Sequence, residues 1–171
     1  MTPSEYGRTL RIRRQHPMRV EKYEQDRRAL LHLFALADDS GAQIFSYLAL
    51  GEVFVIRDED VILGHLQVVA THDADVFEIK SIAVSEPHRR EGIGRGLVAV
   101  AAAYARSRGG RRLIVATAAA DLRNLRFYQQ LCFRMYRVVQ NVFVPSAGYP
   151  ERSRIDGIRL LDQVFLELNL Q

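Results

Sequence analysis

The spacing of apolar residues changes several times along the chain and predicts the order of its helices and strands. Residues 8–14 alternate weakly and predict a first strand. Residues 20–37 carry apolar side chains at roughly helical spacing, which predicts a helix that the polar stretch Asp38–Gly41 ends. Residues 42–49 predict a second, short helix.

From residue 52 the pattern becomes that of strands. Residues 52–70 predict a hairpin whose turn is the acidic run Asp58–Asp60. Residues 76–84 predict a further strand because they are rich in β-branched side chains. Residues 97–108 are rich in alanine and predict a helix, and residues 111–118 form an apolar run typical of a buried strand.

The last third of the chain predicts one more helix and two more strands. Asp121 precedes a predicted helix over residues 122–131, and its carboxylate is placed to accept N–H groups of the first turn. Residues 133–144 and 158–168 predict the two strands, separated by a loop. Because strand, helix and strand follow one another in the middle of the chain, we expect a mixed α/β fold: a mostly antiparallel sheet with one parallel crossover pair, flanked by helices.

Length and composition favour one domain over residues 1–171, since a chain of this size buries one sizeable core. The chain is 48% hydrophobic and 26% charged, as in ordinary globular proteins, and no apolar run is long enough for a membrane span. The polar, arginine-bearing start is unlike a secretory signal. We therefore expect a cytoplasmic protein without membrane partners.

Charge and metal-ligand residues narrow the classes of partner. The net charge is +4, but the arginines are scattered except at residues 89–95 and 106–112, which argues against a nucleic-acid partner. The single cysteine, Cys132, excludes an internal disulfide and a cysteine metal cluster, and we expect a buried thiol. The five histidines show no metal-binding spacing, so we expect no metal.

The segment EPHRREGIGRGLV, residues 86–98, places three glycines behind two arginines. A dinucleotide-binding loop is excluded because Leu97 stands where the third glycine belongs, and a P-loop lacks its lysine. A turn that merely eases helix packing leaves the interleaved arginines unexplained. A glycine-rich loop between a strand and a helix start presents unpaired N–H groups to an anion, which favours a diphosphate cradle.

The spacing Arg89-x-x-Gly92-x-Gly94 resembles the (Q/R)xxGx(G/A) signature with which the GNAT family of N-acetyltransferases holds the pyrophosphate of acetyl-CoA. The preceding EIKSIAV, residues 78–84, and the later NLRFYQQLCF, residues 124–133, resemble two further family blocks in the same order. Cys132 departs from the pattern, because the family has glycine there. The resemblance spans residues 76–133 and implies acetyl transfer by direct attack of an amine on acetyl-CoA in a ternary complex.

The resemblance also implies which residues hold the co-substrate. Main-chain groups of one strand would pair with its pantetheine arm, main-chain N–H groups of the glycine loop would bind the pyrophosphate, and Arg89, Arg90 or Arg126 would meet the 3′-phosphate. The expected contacts are Ile82, Ala83, Val84, Arg89, Arg90, Glu91, Gly92, Ile93, Gly94, Arg95, Asn124, Arg126 and Phe127. Gly96 is expected to pack the helix against the sheet.

Two residues match the family's catalytic positions. Glu78 would act as the base that takes a proton from the amine, directly or through water; the alternatives are a solvated strand carboxylate or an ion pair with Lys80 on the same face. Tyr128 would give a proton to the departing thiolate, and the alternative is a core tyrosine.

The acceptor is the least constrained prediction. Acidic residues at 38, 39, 58–60, 73 and 75 suggest a polycationic small molecule, and by analogy with family members of this size an aminoglycoside antibiotic. The alternatives are a protein lysine or N-terminus, or a non-catalytic acyl-CoA-binding module. The strands after residue 133 are a candidate homodimer surface.

Overall fold

The computed structural model of the protein describes residues 18–171. The strand predicted over residues 8–14, and His16, lie outside these residues. No helix within residues 18–171 is both long and apolar enough to cross a membrane.

The described chain folds into strands and short helices. The strands are β1 (Arg19–Lys22), β2 (Glu52–Asp58), β3 (Val61–Ala70), β4 (Val76–Val84), β5 (Arg112–Ala118), β6 (Arg134–Val139), β7 (Arg154–Ile155), β8 (Ile158–Arg159) and β9 (Gln163–Asn169). The α-helices are α1 (Leu31–Phe34), α2 (Gly41–Tyr47), α3 (Ile93–Ser107) and α4 (Leu122–Gln130), and short 3-10 helices cover Arg27–Leu30, Glu86–His88 and Pro145–Ala147.

Seven of the described strands form one sheet in the order β1-β2-β3-β4-β5-β9-β6. Every neighbouring pair is antiparallel except β4 and β5, which run parallel and are connected through α3. The two short strands β7 and β8 form a separate hairpin. This arrangement confirms the predicted mixed α/β fold with one parallel crossover pair.

Helices cover both faces of the sheet and enclose two cores. On one face, α3 and α4 contribute side chains such as Leu97, Leu125 and Tyr128 to the larger cluster. On the other face, α1 and α2 contribute Phe34 and Tyr47 to a smaller cluster. The central strands are therefore buried on both sides, as their continuous apolar runs require.

The hairpin over residues 52–70, the strand over 76–84 and the buried strand over 111–118 are confirmed. The helix predicted over 97–108 is also present, although it begins four residues earlier at Ile93. Asp121 caps α4 as predicted, because its carboxylate accepts the Asn124 N–H at 2.9 Å.

Three predicted boundaries are wrong. The helix predicted over 20–37 begins instead as strand β1, in which Val20 lies opposite Ile56 of β2, and only residues 27–34 are helical in that span. This pairing depends on a partner more than 30 residues away, which local spacing does not report. In the C-terminal part, β6 ends at Val139, before residue 144, and β9 begins at Gln163, after residue 158.

An irregularity in β4 determines the shape of its edge. Ser81 lies opposite Gln67 of β3 and Ile79 lies opposite Val68, so Lys80 is an extra residue in β4. An extra residue of this kind is a β-bulge, which bends the strand and increases its twist. The parallel pairing of β4 with β5 ends at Ile79 and Val115, immediately before the bulge.

Cys132 adopts a left-handed backbone conformation after the end of α4. Its φ is +67°, its N–H bonds the Gln129 carbonyl at 3.0 Å, and the next N–H, of Phe133, bonds the Tyr128 carbonyl at 3.1 Å. These two bonds define a Schellman motif, in which the residue after the helix end is usually glycine. The thiol is exposed, so the prediction that it is buried is wrong.

Replacing Cys132 with glycine is expected to stabilise the protein. A non-glycine residue in the left-handed region carries strain, so we expect Cys132→Gly to raise the free energy of unfolding by about 1 kcal/mol. The matched control is Cys132→Ala, which removes the thiol but keeps a Cβ and should give no gain. Urea unfolding of the three proteins measures the difference; equal stabilities for the glycine and alanine variants would contradict the strain.

Candidate active site

The parting of β4 and β5 opens a gap at the carboxyl ends of both strands. The Ser85 N–H bonds the Leu63 carbonyl of β3 at 2.8 Å, so this residue and Ala83 direct their main-chain groups toward β3. Because a strand alternates its N–H groups between its two edges, those of Ile82 and Val84 point the other way, into the gap. Of the predicted cofactor residues, Ile82 and Val84 therefore direct main-chain groups into the gap, whereas those of Ala83 face β3.

The glycine loop ends at the N-terminus of α3, beside this gap. Gly92 caps the helix with φ +82°, and a Cβ added to it would meet nothing within 4 Å. The first intrahelical bond runs from the Gly96 N–H to the Gly92 carbonyl at 3.1 Å, so the N–H groups of Ile93, Gly94 and Arg95 have no intrahelical partner. Free N–H groups and the positive end of the helix dipole together favour a phosphate.

The side chains around this loop divide into supports and exposed cations. The Arg89 side chain donates to the Val84 carbonyl at 3.2 Å and lies 3.4 Å from the Glu86 carboxylate, so it ties the loop to the end of β4. Arg90 has a positive φ of 68° and is exposed. Glu91 instead approaches His88, with 3.6 Å between a carboxylate oxygen and Nδ1.

Gly94 contributes to packing between helices. A Cβ on Gly94 would lie 3.2 Å from the Phe127 ring of α4, which is tighter than ordinary contact. The absence of a side chain at Gly94 therefore lets α3 pack closely against Phe127. Ile93 is buried in the core cluster, so its main chain alone is available to a ligand.

Helix α4 borders the gap from the β5 side. Asn124 is exposed in its first turn, and its side-chain amide donates to the Thr117 hydroxyl of β5 at 3.4 Å. Arg126 is also exposed on α4. Both predicted cofactor residues are thus exposed, and Asn124 is joined to β5.

Tyr128 is a buried residue of α4 and is only 3% exposed. Its ring packs edge-on against Phe127 and Phe133, with ring centroids 5.1 and 5.4 Å away. Burial raises the pKa of Tyr128 above its usual 10, and the nearby Asp121 carboxylate raises it further. The phenol therefore keeps its proton at neutral pH, as a proton donor must. The same burial is what the alternative, a core tyrosine, predicts.

Glu78 and Lys80 form an ion pair on the other face of the sheet, as one of the sequence alternatives predicted. The Lys80 ammonium lies 3.3 Å from a Glu78 carboxylate oxygen, and the two side chains are 36% and 19% exposed. The same ammonium lies 5.7 Å from the centre of the Tyr47 ring. Glu78, the candidate base, therefore lies beside an amine of the chain itself, that of Lys80.

A chain of hydrogen bonds runs from the sheet interior to the surface next to this pair. His65 Nε2 and Ser81 Oγ are 2.9 Å apart, the Tyr47 hydroxyl bonds both Ser81 and Asp38, and the Tyr149 hydroxyl donates to Asp38 at 3.4 Å. His65 Nδ1 is buried without a hydrogen-bond partner. At the surface end of this chain the Tyr47 and Tyr149 hydroxyls donate to Asp38, since an ionised carboxylate only accepts hydrogen bonds.

The pKa values of His65, Tyr47 and Tyr149 keep these three side chains neutral at pH 7. Burial lowers the pKa of His65 to about 3, with a smaller effect from His32, so the imidazole is neutral at pH 7. Burial, followed by the Asp38 charge, raises the pKa of Tyr149 to about 12 and that of Tyr47 further. Both phenols are therefore protonated donors to Asp38.

The acidic residues predicted to receive the acceptor do not converge. Asp38 lies in the hydrogen-bonded chain, but the turn at residues 58–60 lies at the end of the sheet where β4 finishes. Asp73 and Asp75 lie where β4 begins. There, Asp73 is 4.0 Å from the Arg112 guanidinium, and the Asp75 carbonyl accepts the N–H of Arg111 at 2.7 Å.

Sequence reasoning missed three residues of the hydrogen-bonded chain, which meets the Glu78–Lys80 pair where the Lys80 ammonium lies over the Tyr47 ring. Tyr47 fits the apolar spacing of α2 and gives no separate signal, Tyr149 lies in a loop, and Ser81 is an unremarked strand residue. Their association depends on contacts such as that of Asp38 with Tyr149, which are 111 positions apart. Within residues 18–171, no three potential ligands among His, Cys, Asp and Glu gather to hold a metal ion.

A loop of free N–H groups beside two parted parallel strands defines a site for a phosphate-bearing ligand with an extended arm. Comparison with known sequences agrees with a site for this class of ligand. The sequence profile of the Acetyltransferase (GNAT) family matches residues 13–133, and the chain belongs to this family. It is accordingly an acetyltransferase.

Individual relatives extend the match over nearly the whole chain. The chain is 30% identical over 153 residues to the uncharacterized N-acetyltransferase YvbK of Bacillus subtilis, covering 90% of this chain and 97% of the relative. A crystal structure of a GNAT acetyltransferase from Elizabethkingia anophelis with acetyl-CoA bound has a TM-score of 0.81 at 27% identity, covering 89% of this chain and 97% of its own. A Bacillus subtilis acetyltransferase in complex with CoA has a TM-score of 0.82 at 29% identity, covering 90% and 99%.

Substitution of Gly92 tests whether the loop holds acetyl-CoA. Gly92→Ala places a methyl group in the open loop and disfavours its left-handed φ, so we expect acetyl-CoA to bind at least about tenfold more weakly, a loss of about 1.4 kcal/mol. The matched control is Gly109→Ala, because Gly109 has φ +80° and equally open space at the far end of α3. Calorimetric titration measures both; equal affinities for the two variants would argue against the cradle.

Proposed function

We propose that the protein transfers the acetyl group of acetyl-CoA to a primary amine by direct attack in a ternary complex. The observation that carries the proposal is the gap between β4 and β5, with the free N–H groups of α3 at one end and Glu78 on the adjoining strand. An enzyme that binds both substrates in one place raises the effective concentration of the amine at the reacting carbon.

The residues present fit acetyl-CoA. The Gly92 loop has room for phosphate oxygens, and the N–H groups of Ile82 and Val84 are free to pair with an extended amide-bearing arm as a strand would. The exposed Arg90, Arg95 and Arg126 are available to phosphate groups. When bound, acetyl-CoA supplies an acetyl group activated as a thioester.

Glu78 and Tyr128 are the proposed proton-transfer residues. An ammonium is not a nucleophile, so the acceptor must lose a proton before it attacks, and the half-buried Glu78 carboxylate on the acceptor face is placed to take it. Tyr128 holds its proton because its pKa is raised, and it lies next to Phe127 at the opposite wall of the gap. Its hydroxyl would give that proton to the sulfur that leaves.

For the acceptor, we propose a cationic small amine, with polycations such as aminoglycosides as the first group to test. Glu78 and Asp38 supply negative charge on one face, and the Tyr47 ring between them already has a cation, the Lys80 ammonium, nearby. The acidic residues at 58–60, 73 and 75 lie at opposite ends of the sheet, so in this proposal Glu78 and Asp38 bind one ammonium group of the amine.

Release of the CoA thiol, measured across aminoglycosides, polyamines and lysine- or N-terminus-bearing peptides, tests the proposal. We expect turnover with at least one small amine. Glu78→Gln should lower kcat for that amine by about 10²- to 10⁴-fold, since a positioned base contributes that much. The matched control is Glu52→Gln, because Glu52 is also a strand carboxylate paired with a lysine, 3.1 Å from Lys22 Nζ, yet lies on β2.

Other results of the same assay would contradict particular parts of the proposed function. Tight acetyl-CoA binding without turnover of any amine would favour a non-catalytic acyl-CoA-binding module. Turnover confined to peptides would replace the small molecule with a protein amine. Undiminished turnover in Tyr128→Phe, which keeps the buried ring, would remove the proton-donor role.

A further inference from the structure

Lys80 occupies an unusual place for one of the two lysines in a chain that has 24 basic residues. It is the extra residue of the β4 bulge, and it directly follows the last residue that pairs with β5. Its side chain therefore leaves the strand at the mouth of the gap proposed to hold the acetyl-bearing arm. Its ammonium reaches the carboxylate of the proposed base, Glu78, at 3.3 Å.

This geometry is the one that an acceptor amine has to adopt. The acceptor's nitrogen must lie within hydrogen-bond reach of the base, directly or through one water, and beside the thioester carbon. Lys80 Nζ meets the first condition in the structure, and the Lys80 backbone directly follows Ile79, the last residue of β4 that pairs with β5. The ion pair of Lys80 with Glu78 is partly exposed, and such pairs contribute little to stability, so little folding free energy is needed to release this amine.

We propose that Lys80 is an internal acceptor: the protein acetylates this lysine in its own active site. The inference rests on the proposed function, because it uses the same acetyl donor and the same base. It differs in that the acceptor belongs to the chain and needs no second substrate. The modification would convert the cation beside Glu78 and Tyr47 into a neutral amide.

The reaction balances with groups already named. Glu78 takes one proton from the Lys80 ammonium, and the freed nitrogen lone pair forms a bond to the carbonyl carbon of the thioester. The carbon–sulfur bond breaks, and its electron pair leaves on the sulfur. The nitrogen gives up a second proton, which ends on the sulfur, so the products are N-acetyl-Lys80, the CoA thiol and one proton held by Glu78.

The chain contains its own comparator for chemical acetylation. Lys22 is the other lysine, it is also ion-paired, and its side chain is 45% exposed against 36% for Lys80. Uncatalysed reaction with acetyl-CoA depends on exposure and on the free amine, so it should modify Lys22 at least as fast as Lys80. Lys22 lies on β1, three strands away from the parted pair.

Peptide mass spectrometry of the purified protein during incubation with acetyl-CoA tests the proposal. We expect Lys80 to be acetylated at least tenfold faster than Lys22, at a rate per molecule that does not change over a tenfold dilution of the protein. Glu78→Gln and Gly92→Ala should each bring the Lys80 rate down to that of Lys22. Glu52→Gln should leave the Lys80 rate as in the unaltered protein.

Several results would overturn it. Equal rates at the two lysines, or a Lys80 rate that falls in proportion to dilution, would show that the reaction does not occur within one active site. Turnover of a free amine with Lys80 unmodified would overturn the inference and leave the proposed function standing. Acetylation of Lys80 without turnover of any free amine would support the inference and count against the proposed acceptor.

Discussion

The parallel pairing of β4 with β5 lasts for only four residue pairs, and the site depends on where it stops. Beyond Ile79, β4 remains paired with β3 as far as Val84, and β5 remains paired with β9 as far as Ala118. Each strand is thus held by its outer neighbour, while the inner edges are left without a partner strand. Free main-chain groups at an inner edge are costly unless a ligand or water satisfies them, which makes this gap a place for an extended polar arm.

Two features keep the gap open. The extra residue Lys80 bends β4 at the point where the pairing ends. Helices α3 and α4, which follow β4 and β5, meet each other through the contact of Gly94 with the Phe127 ring. A Cβ at Gly94 would lie only 3.2 Å from that ring, so the segment that supplies N–H groups to a ligand also packs closely against α4.

The order of the central elements was predictable from sequence because it depends on local signals. Strand-like apolar runs with an acidic turn between them marked β2 and β3, β-branched residues marked β4, and Asp121 marked the start of α4. The bulge at Lys80 was not predictable, since it is defined by the register of Ser81 and Ile79 against a different strand. Strand β1 was missed for the same reason. The blocks resembling the GNAT family predicted the family, and the comparisons confirm it.

The face around Glu78 is where the sequence was least informative, and its electrostatics come from long-range contacts. Asp38 accepts from Tyr47 and from Tyr149, whose loop reaches it across the fold. Since both phenols stay protonated, the negative charge on this face stays on the carboxylates and attracts cations, of which Lys80 is one. The charge that would attract an external amine therefore also holds an internal one.

The most direct test of the parted strands as the donor site is amide hydrogen exchange with and without acetyl-CoA. The account predicts that acetyl-CoA slows exchange at the amides of Ile82, Val84 and Ile93–Arg95, whose N–H groups face the gap or lack a partner within the helix. The Ala83 amide, which faces β3, should change less. Unchanged exchange at these amides while acetyl-CoA is bound would contradict the central claim.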